Sequence, residues 1–183
     1  MTRRPLAIAA VLCYAAHAAV HLSRGEPYDL LWGCHLAVLL VAAGLLLERA
    51  TLNAIGLLWS CFGLPIWLLY TFTGGEFMPT ATLTHIGALV IGVAGVRLLG
   101  WPDGAAWKAM AAYVVLWGVT RLTTPASANI NLAFRVYPGW EARFPSYPLY
   151  FATLTVMGVA VFAIADLVFR MIPGPAARTR VAA

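Results

Sequence analysis

The sequence predicts an all-α membrane protein, a bundle of six transmembrane helices, and three observations carry that expectation. Hydrophobic residues fill 62% of the 183 positions and charged residues only 10%, with a mean hydropathy of +0.82. A soluble domain of this length is far more polar. A spanning helix needs about 20 largely apolar residues, and six such runs occur, at 5–22, 29–47, 52–72, 81–100, 105–122 and 148–171. These runs and their short connections use nearly the whole chain, so residues 1–183 read as a single transmembrane domain.

The first run follows Thr2-Arg3-Arg4, a pattern that also suits a signal peptide. Two histidines inside it, His17 and His21, argue for a retained helix instead. The second run opens near Asp29 and carries Cys34 and His35, and the third runs to a turn-rich outer loop, Thr73 to Thr80. Glycines and a proline in that loop argue against a continuous helix. The fourth run holds His85 near its start. Gly56, Gly63, Gly87, Gly92 and Gly95 suit close helix approach, and Ala88-x-x-x-Gly92 has small-residue interface spacing. Between the fifth and sixth runs lies a longer segment, 123–148, with four prolines and the aromatics Tyr137, Trp140 and Tyr147. Loops of this length are often functional lids; this one is expected either to cap the helices or to lie along the interface. In the sixth run Asp166 and Arg170 have ion-pair spacing, and Arg97 of the fourth run is expected at similar depth. A structural pair or triad of these three is expected. The tail, 172–183, is expected to be a disordered cytoplasmic extension.

Lysine and arginine set the orientation. With the N-terminus inside, Arg3, Arg4, Arg49, Arg97, Lys108, Arg170, Arg178 and Arg180 face the cytoplasm; Arg24, Arg121, Arg135 and Arg143 face outward. Both termini are therefore expected on the cytoplasmic side, in a bacterial inner membrane. The net charge of +5 is accounted for by basic residues beside anionic lipid headgroups, and no nucleic-acid partner is implied.

If the runs alternate in direction, all four histidines, His17, His21, His35 and His85, collect at the outer, periplasm-like end. Ionisable groups at membrane depth usually face a protein interior or a water-filled cavity, so a polar pocket is expected there. His17 and His21 share a helix face at i, i+4. With His35 and His85 they have the residue types for a transition-metal or haem site, with Asp29 and Glu76 near in depth as orienting groups. Cys34 and His85, expected at matching depth, offer a second chemistry, a nucleophile with its base. A third outcome is a binder or carrier of a small amphipathic molecule, with histidines that only hydrogen-bond.

The stretch Leu30-Leu31-Trp32-Gly33-Cys34-His35-Leu36-Ala37 resembles the Pro-Leu-His-Leu-Cys-Asp-Leu-Ala motif of the YwaF-like integral membrane family, which has animal relatives acting as ether-phospholipid acyltransferases. Residues 63–97 are similar to its third helix, Pro-rich outer loop and histidine-opened fourth helix. The segment from Asn129-Ile130-Asn131 to Pro145-Ser146-Tyr147-Pro148 is similar to its Asn-rich turn and aromatic start of the last helix. The family's cysteine falls on Cys34 and its histidine on His85. Its other motif histidine falls on Trp32 and its aspartate on His35. The resemblance implies a lipid acyltransferase or ester hydrolase that needs no cofactor and takes a membrane lipid as substrate. In that reading Cys34 attacks the acyl carbonyl, His85 is the base, His35 polarises, and Asn129 or Asn131 donates to the oxyanion, with Trp32 in the pocket.

Overall fold

The computed structural model describes residues 2–174, and the expected tail beyond Gly174 lies outside them. Six long helices account for most of the described chain: α1 (Arg3–Ser23), α2 (Gly33–Leu46), α3 (Ala50–Phe72), α4 (Pro79–Leu99), α5 (Ala105–Thr123) and α6 (Tyr147–Arg170), with no strand among the described residues. By length and composition α1, α3, α4 and α6 are able to cross a membrane. At 14 residues, α2 is about 21 Å long, short of the ~30 Å hydrocarbon thickness.

Each helix follows from its apolar run, and the departures have local causes. The run expected at 29–47 breaks at Trp32, whose backbone is extended, into a 3-10 turn (Pro27–Leu31) followed by α2. Two contacts fix the break. The Trp32 indole donates to the Asp29 carboxylate at 2.9 Å, and the Gly33 amide, which has no partner inside its helix, donates to Asn131 Oδ1 at 2.7 Å. Within α4, residues Leu83–Gly87 form a π-turn. There the Thr84 hydroxyl and His85 Nδ1 both donate to the Ala81 carbonyl, at 2.9 and 2.8 Å. That carbonyl would otherwise take the backbone bond of a regular α-turn. Ser146 caps α6 through a bond from the Leu149 amide.

Helix α3 is the hub, packing on α2, α4, α5 and α6, while α1 lies against α2 and α4. One apolar cluster joins α3, α5 and α6 around Leu58, Phe62, Leu116 and Phe162; another joins α1, α2 and α4 around Ala10, Val38, Val41 and Ile91. Small residues set the closest approaches. A Cβ on Gly56 would stand 2.5 Å from the Ala37 carbonyl oxygen, and one on Gly44 2.5 Å from the Asn53 amide nitrogen. Small residues at such positions let helix backbones approach closely. Asn53 is fully buried beside them and donates to the Gly92 carbonyl at 3.0 Å.

The expected Asp166–Arg170 pair forms at 2.9 Å, but Arg97 is not its third member. Arg97 is exposed on α4, and α6 packs on α3 and α5. The partners are instead the Trp101 indole, donating to Asp166 at 2.7 Å, and Asp103, 3.4 Å from Arg170. The network therefore ties α6 to the turn between α4 and α5.

Of the two readings of the 123–148 segment, the structure takes the cap. Ile130, Asn131, Leu132 and Ala133 are buried, and three left-handed residues, Asn129, Asn131 and Leu132, turn the chain inward. Asn131 holds the turn in place by donating to the Leu31 carbonyl and to Thr120 Oγ1, both at 2.9 Å. Tyr147 also donates to the Ala133 carbonyl at 2.7 Å.

Candidate metal centre

All four histidines are buried and line one cavity of about 300 Å³. Alternating helix directions bring them there: His17 and His21 come from the end of α1, His35 from the start of α2, and His85 from the π-turn of α4. Within this group three imidazoles meet and the fourth stands aside. His17 Nε2 lies 2.9 Å from His35 Nε2 and 3.2 Å from His21 Nε2. The ligand atoms of these three all fall within 4.8 Å of one another. The His85 ring centre is 6.3 Å from that of His35, and the ring stacks on Trp67 at 4.8 Å.

What orients the rings is their outer nitrogens. His21 Nδ1 donates to the Glu26 carboxylate at 2.9 Å and His35 Nδ1 to the Asp29 carbonyl at 2.7 Å; His17 Nδ1 is 2.9 Å from Thr80 Oγ1. An ionised carboxylate and a carbonyl only accept. They therefore fix Nδ1 as the protonated nitrogen of His21 and His35 and leave the Nε2 lone pairs facing inward. Two lone pairs then point at His17 Nε2, where a single proton serves both poorly. Metal-bound histidines have this arrangement, with one nitrogen on the ion and the other held by a carboxylate, carbonyl or hydroxyl.

The two spacings to His17 Nε2 suit a single ion. Metal–nitrogen bonds of ~2.0–2.1 Å at angles between octahedral and tetrahedral place ligand nitrogens about 2.9–3.4 Å apart. The His17 and His35 rings stand nearly perpendicular with their Nε2 atoms 2.9 Å apart, which leaves no slot between them for a flat macrocycle.

The other expected site residues divide. Cys34 and Trp32 line the same cavity as His85, yet no hydrogen bond joins Cys34 to His85 among the described residues, and His85 Nδ1 is already committed to Ala81. Asn129 and Asn131 do not line the cavity. Asn129 Oδ1 accepts from the Phe134 and Arg135 amides, and Asn131 serves the loop contacts described above. Their amides are occupied in building the cap, so neither is placed to meet an oxyanion. Asp29 orients His35 through its backbone, while its carboxylate takes the Trp32 indole. Glu76 lines the cavity but pairs with Arg24 at 2.8 Å instead of an imidazole. That guanidinium holds the Glu76 carboxyl below its ordinary range, and the carboxylate in turn raises Arg24.

Sequence reasoning missed Glu26 and Thr80. The signal for Glu26 was present: a carboxylate five residues past His21, across a Gly25 turn with φ of +74°. Compared with protein-family models, curated proteins and solved structures, the chain has no match.

Proposed function

We propose that this is a metal-dependent enzyme of the bacterial inner membrane. The bundle crosses the membrane six times with both termini cytoplasmic, the short α2 extended by the 27–31 turn, and His17, His21 and His35 hold one transition-metal ion towards the periplasmic face. The observation that carries the reading is the convergence of three Nε2 atoms whose Nδ1 partners are all in place. Three neutral imidazoles with an open fourth position suit zinc best among the ions that imidazole favours. The reaction proposed is hydrolysis of an ester in an amphipathic lipid, since the rest of the cavity wall is largely apolar and aromatic.

A bound ion of this kind supplies Lewis acidity and an activated water. The chain's own groups do the rest. Glu26, Thr80 and the Asp29 carbonyl keep the three rings aimed. His85, its Nδ1 tied to Ala81 and its ring steadied on Trp67, presents Nε2 as the proton acceptor. The cap residues Leu132 and Tyr137 contribute to the cavity wall.

A second reading, acyl transfer through a Cys34 thioester with His85 as base, is supported by the presence of both side chains in the same wall and by the resemblance of residues 30–37. Metal analysis of the purified protein separates the two. The metal reading expects one ion per chain, lost in His17→Ala, His21→Ala and His35→Ala and kept in Cys34→Ala. Metal-free wild-type protein whose turnover vanishes in Cys34→Ala overturns it in favour of acyl transfer. Single cysteines at Glu76 and Ala183, probed with an impermeant reagent on intact cells, test the orientation: Glu76 should label and Ala183 should not.

A further inference from the structure

The cavity continues well beyond the imidazoles, and its shape carries information about what it holds. Along α3 its lining runs from Tyr70 through Trp67, Ile66 and Phe62 to Trp59, about 16 Å at 1.5 Å per residue. The histidines occupy the Tyr70 end. At the other end Trp59 and Phe162 close the floor, and that floor is rigid. The Trp59 indole donates to the Ala109 carbonyl at 2.9 Å, and Phe62 and Phe162 meet edge to face at 6.1 Å. The wall between the two ends is largely apolar and aromatic, so a cavity of this length over a closed aromatic floor suits an extended hydrocarbon chain lying along α3.

We infer that the site takes an extended hydrocarbon chain, its polar end at the imidazoles and its methyl end against Trp59 and Phe162, and that this floor sets the chain length. The inference deepens the lipid-ester reading and rests on it for the chemistry at the polar end. The chain pocket itself stands on Trp59, Phe62, Phe162 and the length of the cavity. Leu154, about 12 Å above Phe162 along α6, lines the wall part-way down.

The test uses detergent-solubilised full-length protein and a series of lysophosphatidylcholines of increasing chain length, which displace a fluorescent fatty-acid analogue. Affinity should rise about fourfold per methylene and then break where the chain meets the floor. Partition into micelles also rises with each methylene, so the break is the readout and the slope is not. Phe162→Leu should move the break to longer chains, with about fourfold tighter binding of the first chain past the wild-type limit. Leu154→Trp should move it to shorter ones. Absence of a break, or a break unmoved in both folded variants, overturns the inference. Metal content measured on the same samples keeps the two readings apart. A break in metal-free protein supports the chain pocket while the metal reading fails, and bound metal without a break does the reverse.

Discussion

The groups behind the imidazoles give the most discriminating prediction, because they touch no substrate and act only through His21 and His17. Glu26 accepts from His21 Nδ1 at 2.9 Å and is itself 43% exposed; Thr80 meets His17 Nδ1 at the same distance. Removing such a partner costs about 10–100-fold in metal affinity, or about 1.4–2.7 kcal/mol. Glu26→Gln keeps an acceptor oxygen and loses only a partly screened charge, so it should fall near tenfold. Glu26→Ala leaves the ring free to turn and should approach a hundredfold. Thr80→Val, which removes the neutral partner of His17, should lie near tenfold. The assay is competition against a chelator of known zinc affinity at fixed pH, with bound metal counted after dialysis. Wild-type protein that holds one ion with an affinity unchanged in all three variants would refute the anchoring argument. A Glu26→Ala variant as empty as His17→Ala would show instead that the carboxylate is a ligand, as the His21, Glu26 and Asp29 grouping allows.

Two further perturbations lie away from the imidazoles. Asp166→Ala strips the Trp101 indole of its charged acceptor, worth about 1.5–3 kcal/mol, while the pair with the half-exposed Arg170 adds little; the thermal midpoint should drop with metal content unchanged, and a folded, metal-loaded but inactive variant would move Asp166 into the mechanism. The Arg24–Glu76 pair, whose carboxylate lines the cavity, should open in acid. Because Arg24 depresses the Glu76 carboxyl below its ordinary value of 4.5, the contribution is complete above that pH and is lost as pH falls through the lowered value. Hydrogen exchange of residues 73–78 should therefore accelerate only below pH 4.5, and Glu76→Gln should show the fast exchange at neutral pH. A wild-type profile that opens near pH 6 would point to a different group.

The helices were legible because each is an apolar run near the length that a membrane imposes, and nearly all their ends fall within about two residues of the runs. The breaks were less so. Nothing local to residues 29–47 announces that the Gly33 amide is taken by Asn131, a partner 98 positions away, and that contact decides where α2 begins. Arg97 shows the same limit in another form. Position along a run gives depth, so Arg97 was placed level with Asp166, but depth says nothing about which way a helix face turns. The face carrying Arg97 turns outward, and the indole of Trp101 reaches Asp166 in its place.

The site divides along the same line between depth and direction. Four histidines at one end of alternating helices follow from counting residues, and the shared cavity follows from the cost of leaving them in hydrocarbon. The chemistry turns on which ring nitrogen points inward, and the Nδ1 partners decide that. One is a backbone carbonyl, at Asp29, which every residue possesses and no sequence pattern marks. Another, Glu26, reaches His21 only because Gly25 turns the chain back at a positive φ. The metal expectation made His85 an equal fourth member and the acyl-transfer expectation made it a base; its ring bonds the Ala81 carbonyl within a π-turn of α4 and stacks on Trp67. The same bond removes it from the converging set and fixes its protonated nitrogen. One backbone carbonyl thus separates three converging imidazoles from the fourth among residues of the same type.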